Sequence, residues 1–272
     1  ELQKGGTPEP QEPSLADLTI PEGYTIDQIA QVVGQLQGEF KEPLTADAFL
    51  AKVQDDNFIS QEVAKYPNLL ESLPTKESGV RYRLEGFLFP ATYSIKESTT
   101  IESLIDEMLA AMDKTLAPHY SAIKSKNLTV NELLTIASLV EKEGAKTEDR
   151  KLIAGVFYNR LNLGMPLQSN IAILYAQGKL GQNISLADDA GIDTSINSPY
   201  NVYTKPGLMP GPVDSPSQDA IEASINQTKS ENLYFVANVT DGKVYYAVTQ
   251  EEHDRNVAEH VNSKLTQNSS SN

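Results

Sequence analysis

Apolar residues repeat at helical spacing through the middle of this chain and cluster in short runs near its two ends. In "TIPEGYTIDQIAQVVGQL" a short strand and a P-E-G turn lead into Ile26, Ile29, Ala30, Val33 and Leu36, one apolar face at the helical period. Thr25 and Gln28 stand at capping-box spacing, which predicts that the helix starts there. A second capped segment, "LTADAFLAKVQDD", begins near Thr45. "RYRLEGFLFPATYSI", Arg81 to Ile95, is dense in aromatics and predicts strand and buried loop, with Pro90 denying an uninterrupted central strand.

The next helix is predicted from Thr99, with Glu102 three residues on, and should bury Leu104, Ile105, Met108, Leu109 and Met112. Thr129 and Glu132 cap "NELLTIASLVEKEG", which Gly144 should stop. Two further helical patterns follow, "EDRKLIAGVFYNRLNLG", closed by Gly164, and "SNIAILYAQGK". The segment 197–218 then carries Pro199, Pro206, Pro210, Pro212 and Pro216 with Gly207 and Gly211, a long loop of the kind that is functional inside a compact domain. At the far end "LYFVANV" and "KVYYAV" flank Asp241-Gly242, a strong hairpin signal, and Thr249 with Glu252 caps a last helix. The fold class is α+β: a linker over 1–16, a small unit over 17–95, a larger mixed helical and strand domain over 96–263, and a polar tail over 264–272.

Composition narrows the partners. The 272 residues hold 37 acidic against 22 basic side chains, a net charge of -15, and no basic stripe, which argues against nucleic acid and against an anionic membrane surface. A neutral polymer such as a glycan stays open. There is no cysteine, so neither disulfides nor thiolate metal sites arise, and this fits a bacterial surface protein. His119, His253 and His260 have no metal-ligand spacing, and the last two, seven apart, read as a solvated helix face. No metal and no cofactor is expected. No G-x-S-x-G turn supports a serine nucleophile, and no run of eighteen apolar residues crosses a membrane. The chain begins at Glu1 in a Pro- and Gly-rich stretch, read as a linker in an excised portion of a longer protein whose targeting or anchoring sequence lies elsewhere.

The candidate chemistry lies in "ASLVEKEG". At about 100° per residue, with Leu133 at the origin, Glu141 falls at about 80° and Glu143 at about 280°, flanking the apolar stripe from opposite edges, while Lys142 faces solvent. The two cannot act as a facing pair of the kind a two-carboxylate glycosidase needs. A single glutamate can be a general acid if its pKa is raised. Glu143 suits this better, lying between Ile136 and Leu139 in angle and beside the negative end of the helix dipole. Spacing alone leaves both glutamates, Tyr200 and Tyr203 open to purely structural roles, and Asn159 with Arg160 open to being a surface pair.

"LEGFLFPATY", "ASLVEKEG", "VFYNRLNLGMPLQSN", "SPYNVYTKPGLMPGP" and "LYFVA" occur in the order seen in the YceG-like (MltG) endolytic murein transglycosylases, which the chain resembles over about 18–260. The resemblance implies a LysM-like module in the first unit and a catalytic domain after it. It implies non-hydrolytic cleavage of the bond between N-acetylmuramic acid and N-acetylglucosamine in peptidoglycan, leaving a 1,6-anhydro end. One glutamate serves as acid and then base, matched here to Glu143, with Glu141 supporting it. Gln168, Ser169, Asn170, Tyr200, Asn201 and Tyr203 are expected to line the cleft, where neutral donors and aromatic faces suit sugars. Many members carry Asp where Asn170 stands and an acid where Ala91 stands. The setting implied is extracytoplasmic and membrane-anchored, in cell-wall growth beside penicillin-binding synthases, from a Gram-positive source. A non-catalytic wall-binding module and a hydrolytic muramidase are the rival readings.

Overall fold

A computed structural model of the chain describes residues 12–185, 188–189, 191–238 and 240–262. The expected tail, 264–272, lies outside them, as does the expected linker up to residue 11. Strand β1 (Ala16–Thr19) pairs antiparallel with β2 (Thr92–Ile95), placing Ala16 opposite Ile95 and Thr19 opposite Thr92. Between them run α1 (Ile26–Val33), α2 (Ala46–Lys52), α3 (Asp56–Lys65) and α4 (Pro67–Leu70). The caps are local and follow the sequence. Thr25 and Gln28 form the capping box of α1, and the Thr45 hydroxyl accepts from the Ala48 amide. Where one capped segment was predicted over 44–56, Asp55 starts a new helix by accepting from the Asn57 and Phe58 amides.

Then follow α5 (Ile101–Leu116), α6 (Tyr120–Ser125), α7 (Val130–Glu143), α8 (Thr147–Asn162), α9 (Asn170–Ala176) and α10 (Gln218–Ile225). Helix α5 starts one residue later than predicted. Thr100 and Ser103 make its box, while the Thr99 hydroxyl accepts from the Lys96 amide at 2.9 Å. The hairpin β3 (Tyr234–Ala237) and β4 (Val244–Ala247) closes through Gly242 at φ 70°, and α11 (Gln250–Val257) starts on the Thr249–Glu252 box. Among the described residues no helix is long and apolar enough to cross a membrane.

Two apolar cores meet at α7. Leu133, Leu134 and Ala137 join a core that runs from Leu18 through Phe49, Ile95 and the α5 face Leu104, Ile105, Met108, Leu109 and Met112. Ile136, Leu139 and Val140 join a second core with Ile153, Phe157, Tyr175 and Val213. Residue 95 is therefore a strand end within a continuous core. Two polar positions of α7 are buried as well: Thr135 bonds the Asn131 carbonyl, and Ser138 bonds the Thr135 carbonyl while accepting from the Val213 amide. Lys142, predicted to face solvent, instead lies along Gly23, where an added Cβ would come within 2.8 Å of its Nζ. The wheel assumed one wet face, and a helix packed from several sides has none.

Glu85 joins the two halves. One carboxyl oxygen accepts from the Ile26 amide at the start of α1, and the other from the Tyr175 hydroxyl of α9, at 2.9 and 2.8 Å. Burial pushes its pKa up to about 8, so it is held largely protonated at neutral pH. Asp214 is also fully buried, and burial raises its pKa well above the usual carboxylate range.

Candidate active site

Glu143 is the last residue of α7, and its helix ends there because Gly144 leaves helical backbone for φ -113°, ψ 120°. The room at residue 144 is taken by Arg150, whose Cγ would lie 2.7 Å from a Cβ there. Arg150 clamps this turn: its Nε donates to the Gly144 carbonyl, one Nη to Glu141 at 2.9 Å, and the other to Asp219 at 2.8 Å and to Ser217. The second Glu141 oxygen accepts from the Ser217 amide and hydroxyl. Glu141 thus holds the end of α7 to the start of α10 and points away from Glu143. With both partners of the Glu141–Arg150 pair almost fully covered, Glu141→Ala takes one of two carboxylates from a nearly buried guanidinium, leaving Asp219, and removes the acceptor of the Ser217 amide. It is expected to cost about 3 kcal/mol of stability in urea unfolding, and unfolding within 1 kcal/mol of wild type would contradict the clamp.

A cleft of about 430 Å³ opens on Glu143, lined by Gln168, Asn170, Asp189, Tyr203, Arg160, Phe235 and His253 among others. One Glu143 oxygen accepts from the Ser169 hydroxyl at 2.7 Å. Ser169 occupies the N-cap of α9 but makes no capping bond, its hydroxyl being turned to Glu143. Burial raises the Glu143 pKa, the Ser169 bond opposes this, and the negative Asp189 adds to it. The Ser169 bond engages Oε1 and not Oε2.

The floor is held from behind. Gln168 adopts φ 55°, a left-handed conformation costly for a residue with a side chain and typical of sites where the surroundings impose it. Its amide donates to the Val202 carbonyl, and its side-chain oxygen accepts from Arg160. The buried Arg160 also donates to the Pro166, Leu167 and Leu233 carbonyls and lies over the Tyr234 ring, so it is no surface pair with Asn159. Asn159 itself anchors the approach to β3 through the Ser230 and Asn232 carbonyls.

Of the residues expected in the cleft, Glu143, Gln168, Asn170 and Tyr203 line it, and Ser169 touches its acid. Tyr200 and Asn201 do not line it. Tyr200 is buried behind α9, its ring 5.0 Å from that of Tyr175. Asn201 is spent inside the Pro-rich loop, donating to the Thr194 and Ile196 carbonyls and accepting from the Tyr203 and Thr204 amides. That folds the loop so that Tyr203 faces forward. Asp189 and His253 are additions. His253 was expected on a solvated face, but the hairpin returns α11 to the cleft and stacks His253 on Tyr234 at 5.2 Å. Among the described residues no group of three or more His, Asp or Glu is placed to hold a metal ion.

Residues 1–259 match the YceG-like family. A protein named endolytic murein transglycosylase from Streptococcus pneumoniae serotype 2 (strain D39) is 86% identical over 97% of this chain, but only 48% of that relative is covered. One of the same name from Bacillus subtilis (strain 168) is 34% identical, over 91% of this chain and 66% of the relative. The crystal structure of a yceG-like protein from Listeria monocytogenes superposes with a TM-score of 0.77 at 36% identity, covering 89% of this chain and 76% of that one. The chain spans about half the length of the pneumococcal relatives it matches.

Proposed function

The chain belongs to the YceG-like family, and from that premise we propose that its cleft cuts peptidoglycan glycan strands internally and without water. The relatives named endolytic murein transglycosylase support this reading. The observation that carries it is the half-buried acid Glu143, with one oxygen held by Ser169, in a cleft that also presents the Gln168 and Asn170 amides and the Tyr203 phenol. In this reaction Glu143 gives its proton to the oxygen between N-acetylmuramic acid and N-acetylglucosamine as the bond to C1 breaks. The muramyl C6 oxygen then bonds to C1 and its proton passes to the Glu143 carboxylate, which restores the acid and closes a 1,6-anhydro ring. One carboxyl serves both steps because they occur in turn on one face of the sugar.

Asp189 also faces this cleft and would be the second carboxylate of a hydrolytic muramidase. Its Oδ1 is engaged by the Asn170 amide, which favours a supporting role. Product analysis on purified glycan strands decides: anhydro ends support the lytic reading, reducing ends mean hydrolysis, and no cleavage leaves a binding module.

The reading extends to the rest of the chain. The LysM-like module ahead of the catalytic domain rests on the family resemblance and on the antiparallel β1–β2 pair, which brackets α1 to α4. On this reading the site acts outside the cytoplasm, in a membrane-anchored protein working beside penicillin-binding synthases.

A further inference from the structure

We propose that Asp189 is a positioning residue of this cleft, locking the Asn170 amide so that the Tyr203 phenol oxygen offers the substrate only lone pairs. The inference rests on the transglycosylase reading and adds a hydrogen-bond polarity to it. The Asn170 side-chain nitrogen lies 3.1 Å from both the Asp189 carbonyl and its Oδ1. Both are acceptors, so only an NH2 group can face them, and the amide orientation follows from chemistry. The Asn170 oxygen then faces Tyr203, 2.5 Å from its hydroxyl. An amide oxygen cannot donate, so the phenol proton points at Asn170, away from the sugar. What Tyr203 presents to the cleft is an acceptor, suited to an N-acetyl N–H or a sugar hydroxyl. A chain of bonds fixed at one end polarises and orders its members.

Asp189 also brings charge. The groups facing Glu143 are Ser169 at the start of α9, Tyr203 from the Pro-rich loop, Arg160 from α8, His253 from α11 and Asp189 itself. Glu141 and Lys142, on the same helix as Glu143, are turned to Arg150 and Gly23. Asp189 is the carboxylate that faces Glu143 across the cleft, and it helps keep that acid protonated.

The test is a swap. Asp189→Asn frees the amide pair to flip, and Asn170→Asp sets two carboxylates against each other. Each is expected to release anhydro ends about tenfold more slowly than wild type. The double variant, with both changes, restores one carboxylate and one amide in reversed order and should recover part of the lost rate but not all of it, because the main-chain carbonyl of residue 189 then faces a carboxylate oxygen. In Asp189→Asn the loss of cleavage at high pH should begin at lower pH, and the carboxyl 13C titration of Glu143, read without substrate, should move the same way. Single variants at wild-type rate with an unmoved titration, or a double variant no faster than the slower single, overturn the assignment. A wild type that leaves no anhydro ends overturns the transglycosylase reading, and the substrate role of Tyr203 with it. An unmoved Glu143 titration beside normal wild-type cleavage overturns the charge effect of Asp189 on Glu143 alone.

Discussion

Glu143→Gln is expected to reduce release of anhydro ends by about 10³-fold or more, about 4 kcal/mol in the barrier, while the protein unfolds at or above the wild-type midpoint. Glutamine keeps the length of the side chain and an oxygen to accept the Ser169 hydroxyl at its 2.7 Å contact, but it has no proton to give a glycosidic oxygen. The stability sign follows from linkage. Burial raises the folded-state pKa of Glu143 above its unfolded value. The stability this group contributes is therefore complete below the unfolded pKa and lost as pH rises through the folded one. A neutral glutamine has no such loss and is no less stable above neutral pH. Wild-type cleavage should fall on the same rise, as the acid ionises. Anhydro ends from Glu143→Gln within tenfold of the wild-type rate would remove Glu143 from the chemistry.

What the sequence discloses is what is decided within a few residues. The boxes at Thr25–Gln28, Thr129–Glu132 and Thr249–Glu252 are legible because a cap and its partner are neighbours in the chain. Asp241-Gly242 marks its hairpin for the same reason. Thr99 and Thr100 are each followed by a polar residue three positions on, so the start of α5 is a tie that only packing breaks. The β1–β2 pairing joins residues far apart and leaves no local trace. Lys142 fails for a related reason: the wheel shows which side of α7 is most apolar, but not that Gly23 comes over the opposite side.

The site divides along the same line. Glu143 is legible from its angle on the helix and the glycine after it, while the Ser169 hydroxyl that meets it comes from another element. In "PYNVY" nothing local separates Tyr203, which faces the cleft, from Tyr200, which is buried against Tyr175. Asn201 decides between them by bonding within its own loop. His253 looked solvated because α11 is mostly charged, and its cleft position depends on where the hairpin turns. Asp189 carried no signal, being one acid among several between α9 and the Pro-rich segment.

Gly86→Ala is expected to be the most damaging single methyl in the protein. Gly86 holds φ 80°, and a Cβ there would lie 2.3 Å from the Pro212 Cβ, 2.6 Å from its Cγ and 3.0 Å from the Asp214 carbonyl oxygen. The left-handed backbone costs a residue with a side chain about 1–2 kcal/mol. A proline ring and a main-chain carbonyl cannot swing aside, so a further 1–3 kcal/mol of overpacking adds to it. Together these come to roughly 2–5 kcal/mol, or about 10 °C in Tm. The displacement would reach beyond the contact. Val213 is bonded to Ser138 inside α7, and Ser215 bonds both Gly23 and Tyr24, so moving Pro212 loosens the loop that carries Tyr203 from both units. Gly164 is the control. It too is left-handed, at φ 65°, but a Cβ there meets nothing within 4 Å, so Gly164→Ala carries only the backbone cost of about 1 kcal/mol. The difference between the two variants in thermal unfolding isolates the close approach of the Gly86 turn to the Pro-rich loop. Equal losses would mean that Pro212 yields, and that this contact does not lock the Gly86 turn to the Pro-rich loop.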